Sequence, residues 1–217
     1  MLTTAKMATW ISSNAPLSQS QMENNAEIIV ELLTAKGVNE RTTAAILGNM
    51  QAESTINPGR HETGGQGYGL IQWTPQSVLI DHAENIGLTD YENGSVQVET
   101  LMSELGGVNN DWYTTSAFIQ PYYDSGATAD MIGITPDEFL KNEMNWSVDK
   151  LAILFMAARL RPSYDPDVNH VTSRTQFSGE WATWMDVNPG GGGGGLPKLI
   201  LYGAASNCIR LRLKNRR

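Results

Sequence analysis

Leu47-Gly48-Asn49-Met50-Gln51-Ala52-Glu53-Ser54-Thr55-Ile56-Asn57-Pro58-Gly59 is the stretch on which the reading of this chain turns. Asn39 is placed to cap a helix through Thr43, Ile46, Leu47 and Met50, which expires near Glu53 and Ser54 before Asn57-Pro58-Gly59 turns the chain. Ile46, Met50 and Glu53 share one face of it, so a stripe that otherwise points at a core ends in a carboxyl group. Poor solvation at such a place favours the protonated form of a carboxyl, which is what a general acid requires. A solvated glutamate in a last helical turn satisfies the same spacing. The neighbouring sequence has to decide between them.

Upstream, Met22, Ala26, Ile29, Val30 and Leu33 are spaced for one face of a helix, with serines before it to cap and Gly37 after it to stop. Downstream, Gly64-Gly65-Gln66-Gly67-Tyr68-Gly69 leads into Leu70-Ile71-Gln72-Trp73 and a break at Thr74-Pro75, which predicts a small hairpin or close-packed loop. Helical patterns then resume over 76–86, 95–105, 135–142 and 149–160. The last is apolar almost all round and so central. A final helix is expected around Phe177 to Met185, carrying Trp181 and Trp184. The fold class is α+β but mainly α, with a small β-hairpin or loop lobe beside the helix that carries Glu53.

Asn188-Pro189 is followed by six glycines, Gly190 to Gly195, a run that holds neither helix nor strand at reasonable entropic cost. The chain therefore divides into an irregular segment 1–17, a folded body 18–188, a linker 189–195 and a tail 196–217 too short for its own core. Every Asp and Glu lies at or before Asp186. Residues 1–189 hold nine basic against 23 acidic side chains, while six basic ones crowd the tail. Such a body repels nucleic-acid phosphates. No apolar run is long enough for a membrane span, and Lys6 and the threonines of the first ten residues stand where a signal peptide's apolar centre would be. One cysteine, Cys208, excludes an internal disulfide, and His61, His82 and His170 lack partners at zinc-ligand spacing. Asp165-Pro166-Asp167-Val168-Asn169 begins with a calcium-loop rhythm, but His170 and Gln176 stand where glycine and glutamate are needed. Neither metal nor cofactor is expected, and the chemistry falls to carboxylates.

Glu53-Ser54-Thr55-Ile56-Asn57-Pro58, followed by Gly67-Tyr68-Gly69-Leu70-Ile71-Gln72-Trp73-Thr74-Pro75, resembles the paired motifs of the lysozyme-like superfamily. The longer string from Leu47, with Gly-Leu-Ile-Gln-Trp-Thr-Pro behind it, is most similar to phage tail lysozymes of small short-tailed phages. The likeness continues more weakly through Leu151 to Pro162 and into Arg174 and Trp181. In those enzymes a glycine run leads to a metal-dependent peptidase domain. Here 22 residues follow the glycines without zinc-ligand spacing, so that activity is not carried over.

The resemblance implies that Glu53 is the general acid, that the loop bearing Tyr68, Gln72 and Trp73 forms one wall of a sugar cleft, with Ser54 also counted as substrate-binding, and that the later helices form the other wall. The residue chemistry agrees, since aromatic rings offer flat faces to sugars and an amide bonds to N-acetyl or hydroxyl groups. Tyr68 and Trp73 as plain core residues fit the same pattern. Glu62 is the one acidic residue between Glu53 and the Gln72 loop, and a second carboxylate there could activate water or steady positive charge on the sugar. Its neighbours Arg60, His61 and Thr63 point to an exposed loop. The expected function is a muramidase of the phage tail tip, made in the host cytoplasm without a signal peptide. Its partners are peptidoglycan glycan strands and other tail proteins. The alternatives are a lytic transglycosylase giving anhydromuramic products, a released endolysin, and a non-catalytic tail-tip or wall-binding protein.

Overall fold

The computed structural model describes residues 9–187; the linker and tail expected over 189–217 lie outside the described residues, as do residues 1–8. Eight α-helices follow in chain order: α1 (Gln19–Ala35), α2 (Glu40–Ser54), α3 (Gln76–Asn85), α4 (Gly94–Glu104), α5 (Ser116–Ile119), α6 (Pro136–Lys141), α7 (Val148–Phe155) and α8 (Val171–Trp184). Tight 3₁₀ turns at Gln120–Ser125 and Ala129–Met131 lie between α5 and α6, and α7 runs on into a π-helical turn, Met156–Leu160.

The core is built where α2, α7 and α8 cross. Thr42 to Met50 of α2 are all buried, as are Leu151, Ala152, Leu154 and Phe155 of α7. Gly48 sets how closely α8 can approach. A methyl group there would fall 2.1 Å from Ser178 Oγ and 2.4 Å from its backbone nitrogen, so any larger residue must push the helices apart. Asn49, fully buried in the same turn, donates to Ala152 O of α7 at 3.1 Å and accepts from Arg174 of α8 at 3.2 Å, joining all three helices through one amide.

Local chemistry explains the ends of α2. Asn39 Oδ1 accepts from Arg41 N at 2.9 Å, meeting a donor the first turn leaves open. The helix stops on two successive left-handed residues, Thr55 (φ 59°) and Ile56 (φ 53°). That conformation is costly for β-branched side chains, and it is held because Ile56 is fully buried while its carbonyl accepts from Asn25 Nδ2 at 2.9 Å.

The glycine-dense stretch after α2 forms the close-packed loop of the two forms expected for it. Among the described residues its only ladder pairing is two isolated bridges, His61 with Tyr68 and Tyr68 with Trp73. Residues 9–17 are irregular, yet they are tied to the body through side-chain amides. Asn25 bonds both backbone groups of Ile11, at 2.9 and 2.8 Å, and Asn57 bonds the carbonyls of Ser13 and Ala15, at 2.5 and 2.9 Å. Trp10 lies on Gly94, which has no side chain to displace it.

Candidate active site

Glu53 opens from the last turn of α2 into a cleft of about 420 Å³, whose lining also includes Glu62, Gln72, Trp73, Arg159 and Arg161. Four of the six residues singled out from sequence therefore meet in one place. The apolar stripe beneath Glu53 is as expected, with Ile46 and Met50 wholly buried. The carboxyl group itself is not alone in an apolar pocket. Its Oε1 accepts from Arg174 Nη2 at 2.7 Å, while Oε2 takes no bond among the described residues.

Arg174 is buried and held from two further sides, its Nε donating to Asn169 O at 2.8 Å and its Nη1 to Asn49 Oδ1 at 3.2 Å. Asn169 is fixed in turn by a bond from its Nδ2 to Ser125 Oγ at 2.6 Å, and its Oδ1 accepts from Val171 N at 3.0 Å. The Asp165–Asn169 stretch, with its calcium-like rhythm, thus closes on itself and braces Arg174. Among the described residues there is no group of three His, Cys, Asp or Glu side chains placed to hold a metal ion.

Glu62 is exposed on the loop, as its neighbours implied, and it still faces the cleft. Its carboxylate folds back to accept from Gly67 N at 3.0 Å, and its backbone nitrogen donates to Gly67 O at 2.8 Å. Gly65 makes that possible, because a methyl group there would lie 1.9 Å from Glu62 Oε2. Gln72 sits at φ 53° with its Nε2 donating to Gly69 O at 2.9 Å and Arg60 O at 3.1 Å. The loop thereby sets the polarity of the amide, and Oε1 is the atom left to accept from a ligand.

Ser54 and Tyr68 stand outside the cleft lining. The Ser54 hydroxyl donates to Leu70 O at 2.9 Å and accepts from Asn57 N at 3.1 Å, pinning the loop to the end of α2. Tyr68 is 4% exposed and packs against His61 and Tyr91. Burial, followed by the nearby Glu92, Tyr91 and Asp90, pushes its phenol up to about 12.

The opposite wall is formed by the end of a later helix, Arg159 to Pro162, within the Leu151–Pro162 stretch of the resemblance. The π-helical turn ends with Arg161 N bonded to Met156 O at 2.8 Å, and it turns Arg159 inward and Arg161 along the rim. Arg159 meets the fully buried Glu104 through Nε at 3.0 Å and through Nη2, and it meets Asp111 at 3.1 Å. Arg161 binds the same Asp111 at 2.7 Å. Trp73 is buried too, so it lends the cleft an edge while its indole nitrogen reaches Glu104. Beside that likeness, the signal in the sequence for the acidic network was Arg159 interrupting an apolar run, since a buried arginine demands acidic partners.

The chain is 31% identical over 157 residues to morphogenesis protein 1 of Bacillus phage B103, an alignment covering 70% of this chain and 38% of that protein. It therefore spans well under half the length of that relative. The sequence model of the phage tail lysozyme family matches residues 24–185. That match takes in every residue lining the cleft, and it establishes that the chain belongs to the phage tail lysozyme family.

Proposed function

We propose that this domain is a peptidoglycan muramidase that cleaves the β-1,4 bond between N-acetylmuramic acid and N-acetylglucosamine, with Glu53 as general acid. The observation that carries the proposal is the meeting of Glu53, Glu62 and Gln72 on one cleft. Glu53 gives its proton to the glycosidic oxygen as the bond to the muramic anomeric carbon breaks, and the bonding pair leaves with that oxygen. Glu62 takes a proton from water, whose hydroxyl adds to the anomeric carbon. Gln72 Oε1 accepts from an N-acetyl N–H of the sugar. These steps use only side chains of the chain and no cofactor. As part of a phage tail the domain would work beside other tail proteins on the wall of the host.

The test is mass spectrometry of purified peptidoglycan digested by the wild-type protein and by Glu53→Gln. Reducing muramic ends from the wild type, with release slowed by orders of magnitude in the variant, are expected. Anhydromuramic ends would replace hydrolysis by transglycosylation. Absence of digestion, or Glu53→Gln activity within a few-fold of wild type, would overturn the assignment.

A further inference from the structure

We infer that Arg174 is a positioning residue that selects which oxygen of Glu53 carries the transferred proton. The inference rests on the reading of Glu53 as general acid. A carboxyl group has two chemically equivalent oxygens, and a donor that rotates between them spends part of its time aimed away from the bond to be broken. Arg174 removes that equivalence. A guanidinium has donors and no acceptor, and a carbonyl oxygen accepts from it better than a hydroxyl oxygen does, so the hydrogen is favoured on the oxygen that does not face it. Oε1 accepts from Arg174 Nη2 at 2.7 Å, which leaves Oε2, bonded to no described residue, as the atom that holds the proton in the cleft.

The guanidinium is itself immobile. It is 4% exposed, and its Nε and Nη1 are tied to Asn169 O at 2.8 Å and Asn49 Oδ1 at 3.2 Å. Asn49 and Glu53 are four residues apart in one helix, so acid and brace move as a unit. When Oε2 gives up its proton, the carboxylate charge spreads onto Oε1, where a fixed cation already lies. A donor placed in advance against a developing charge stabilises the transition state more than the ground state. No substrate contact is needed for this.

The geometry is tested on a complex of the Glu53→Gln protein with a tetrasaccharide of alternating N-acetylglucosamine and N-acetylmuramic acid. Amide oxygen should stay on Arg174 Nη2, with the amide nitrogen about 3 Å from the glycosidic oxygen. A glycosidic oxygen seated on the Arg174 side of the amide, or an arginine released when sugar binds, overturns the inference. Kinetics give a second arm. Arg174→Lys should lower kcat by about 100-fold with KM within about 3-fold, and methylguanidinium should restore about 10-fold of the activity lost by Arg174→Ala. Wild-type kcat in Arg174→Lys, or a loss that follows the unfolded fraction and shows no rescue, counts against it. If these variants do not fold, the sugar complex decides alone. An inactive wild type, or an active Glu53→Gln, would fell the parent reading as well, whereas an active Arg174→Lys fells only this one.

Discussion

The indole nitrogen of Trp73 donates to Glu104 Oε1 at 2.7 Å, and this one buried carboxylate joins the loop wall of the cleft to the arginine wall. Glu104 has no exposed surface and also accepts from His82 Nδ1 at 2.7 Å and from two nitrogens of Arg159. Breaking a buried ion pair from one side leaves the other charge uncompensated, at about 3–5 kcal/mol. Glu104→Gln should therefore lower the thermal midpoint by about 10 °C, and because Trp73 and Arg159 both line the cleft, KM should rise. A calorimetric midpoint unchanged from wild type would show that this network contributes little to stability.

Gly48→Ala tests the coupling of packing to the site. The added methyl group meets the Ser178 backbone at 2.4 Å, which cannot be relieved by rotating a side chain. Overpacking of this kind costs about 1–3 kcal/mol, and here it drives α8 away from α2 and stretches the bond between Arg174 and Glu53. Both the midpoint and kcat should fall. A variant with a lowered midpoint and wild-type kcat would show that the site tolerates helix displacement.

Glu62→Gln keeps the loop's hydrogen-bonded frame, since an amide oxygen can still accept from Gly67 N. What it removes is the proposed base. Turnover on peptidoglycan should drop about 10-fold, less than for Glu53→Gln, because water can still attack slowly without help. Unchanged turnover together with anhydromuramic products would remove Glu62 from the mechanism.

Alkaline stability follows from two tyrosines. Burial is the main cause that pushes Tyr68 and Tyr122 up to about 12 from the ordinary 10.0. Near pH 10 the unfolded chain gives up these protons while the native state keeps them, so the native state binds more protons between the two values. Their stabilising effect is complete below pH 10 and is lost as pH rises toward 12. Ultraviolet titration should show two of the seven tyrosines ionising late, and Tyr68→Phe should flatten the fall in midpoint over that range.

Much of the scaffold could be read from neighbouring residues. Asn39 capping α2, Gly37 ending the helix before it, and Glu53 closing an apolar stripe are matters of spacing within a few positions. The loop carrying Glu62 and Gln72 was legible for the same reason, since Gly65 and Gly67 make room for side chains of the loop itself, although Gly69 makes room for Gln97 of α4. The final helix was expected near Phe177, and it begins at Val171. Residues 171–176 are polar and β-branched, with weak periodicity, and they become helical through the bond from Val171 N to Asn169 Oδ1 and the packing of α8 on α2. The likeness reached Arg174, but not its pairing with Glu53, which lies 121 residues away along the chain. The Glu104 hub was hidden likewise, with Arg159 55 residues away. Hydrogen bonds along a helix and turns within a loop are decided by residues a few positions apart, so the sequence determined them. Which cation faces Glu53 depends on the crossing of α2 and α8 at Gly48, a distance that exists only once the core has closed.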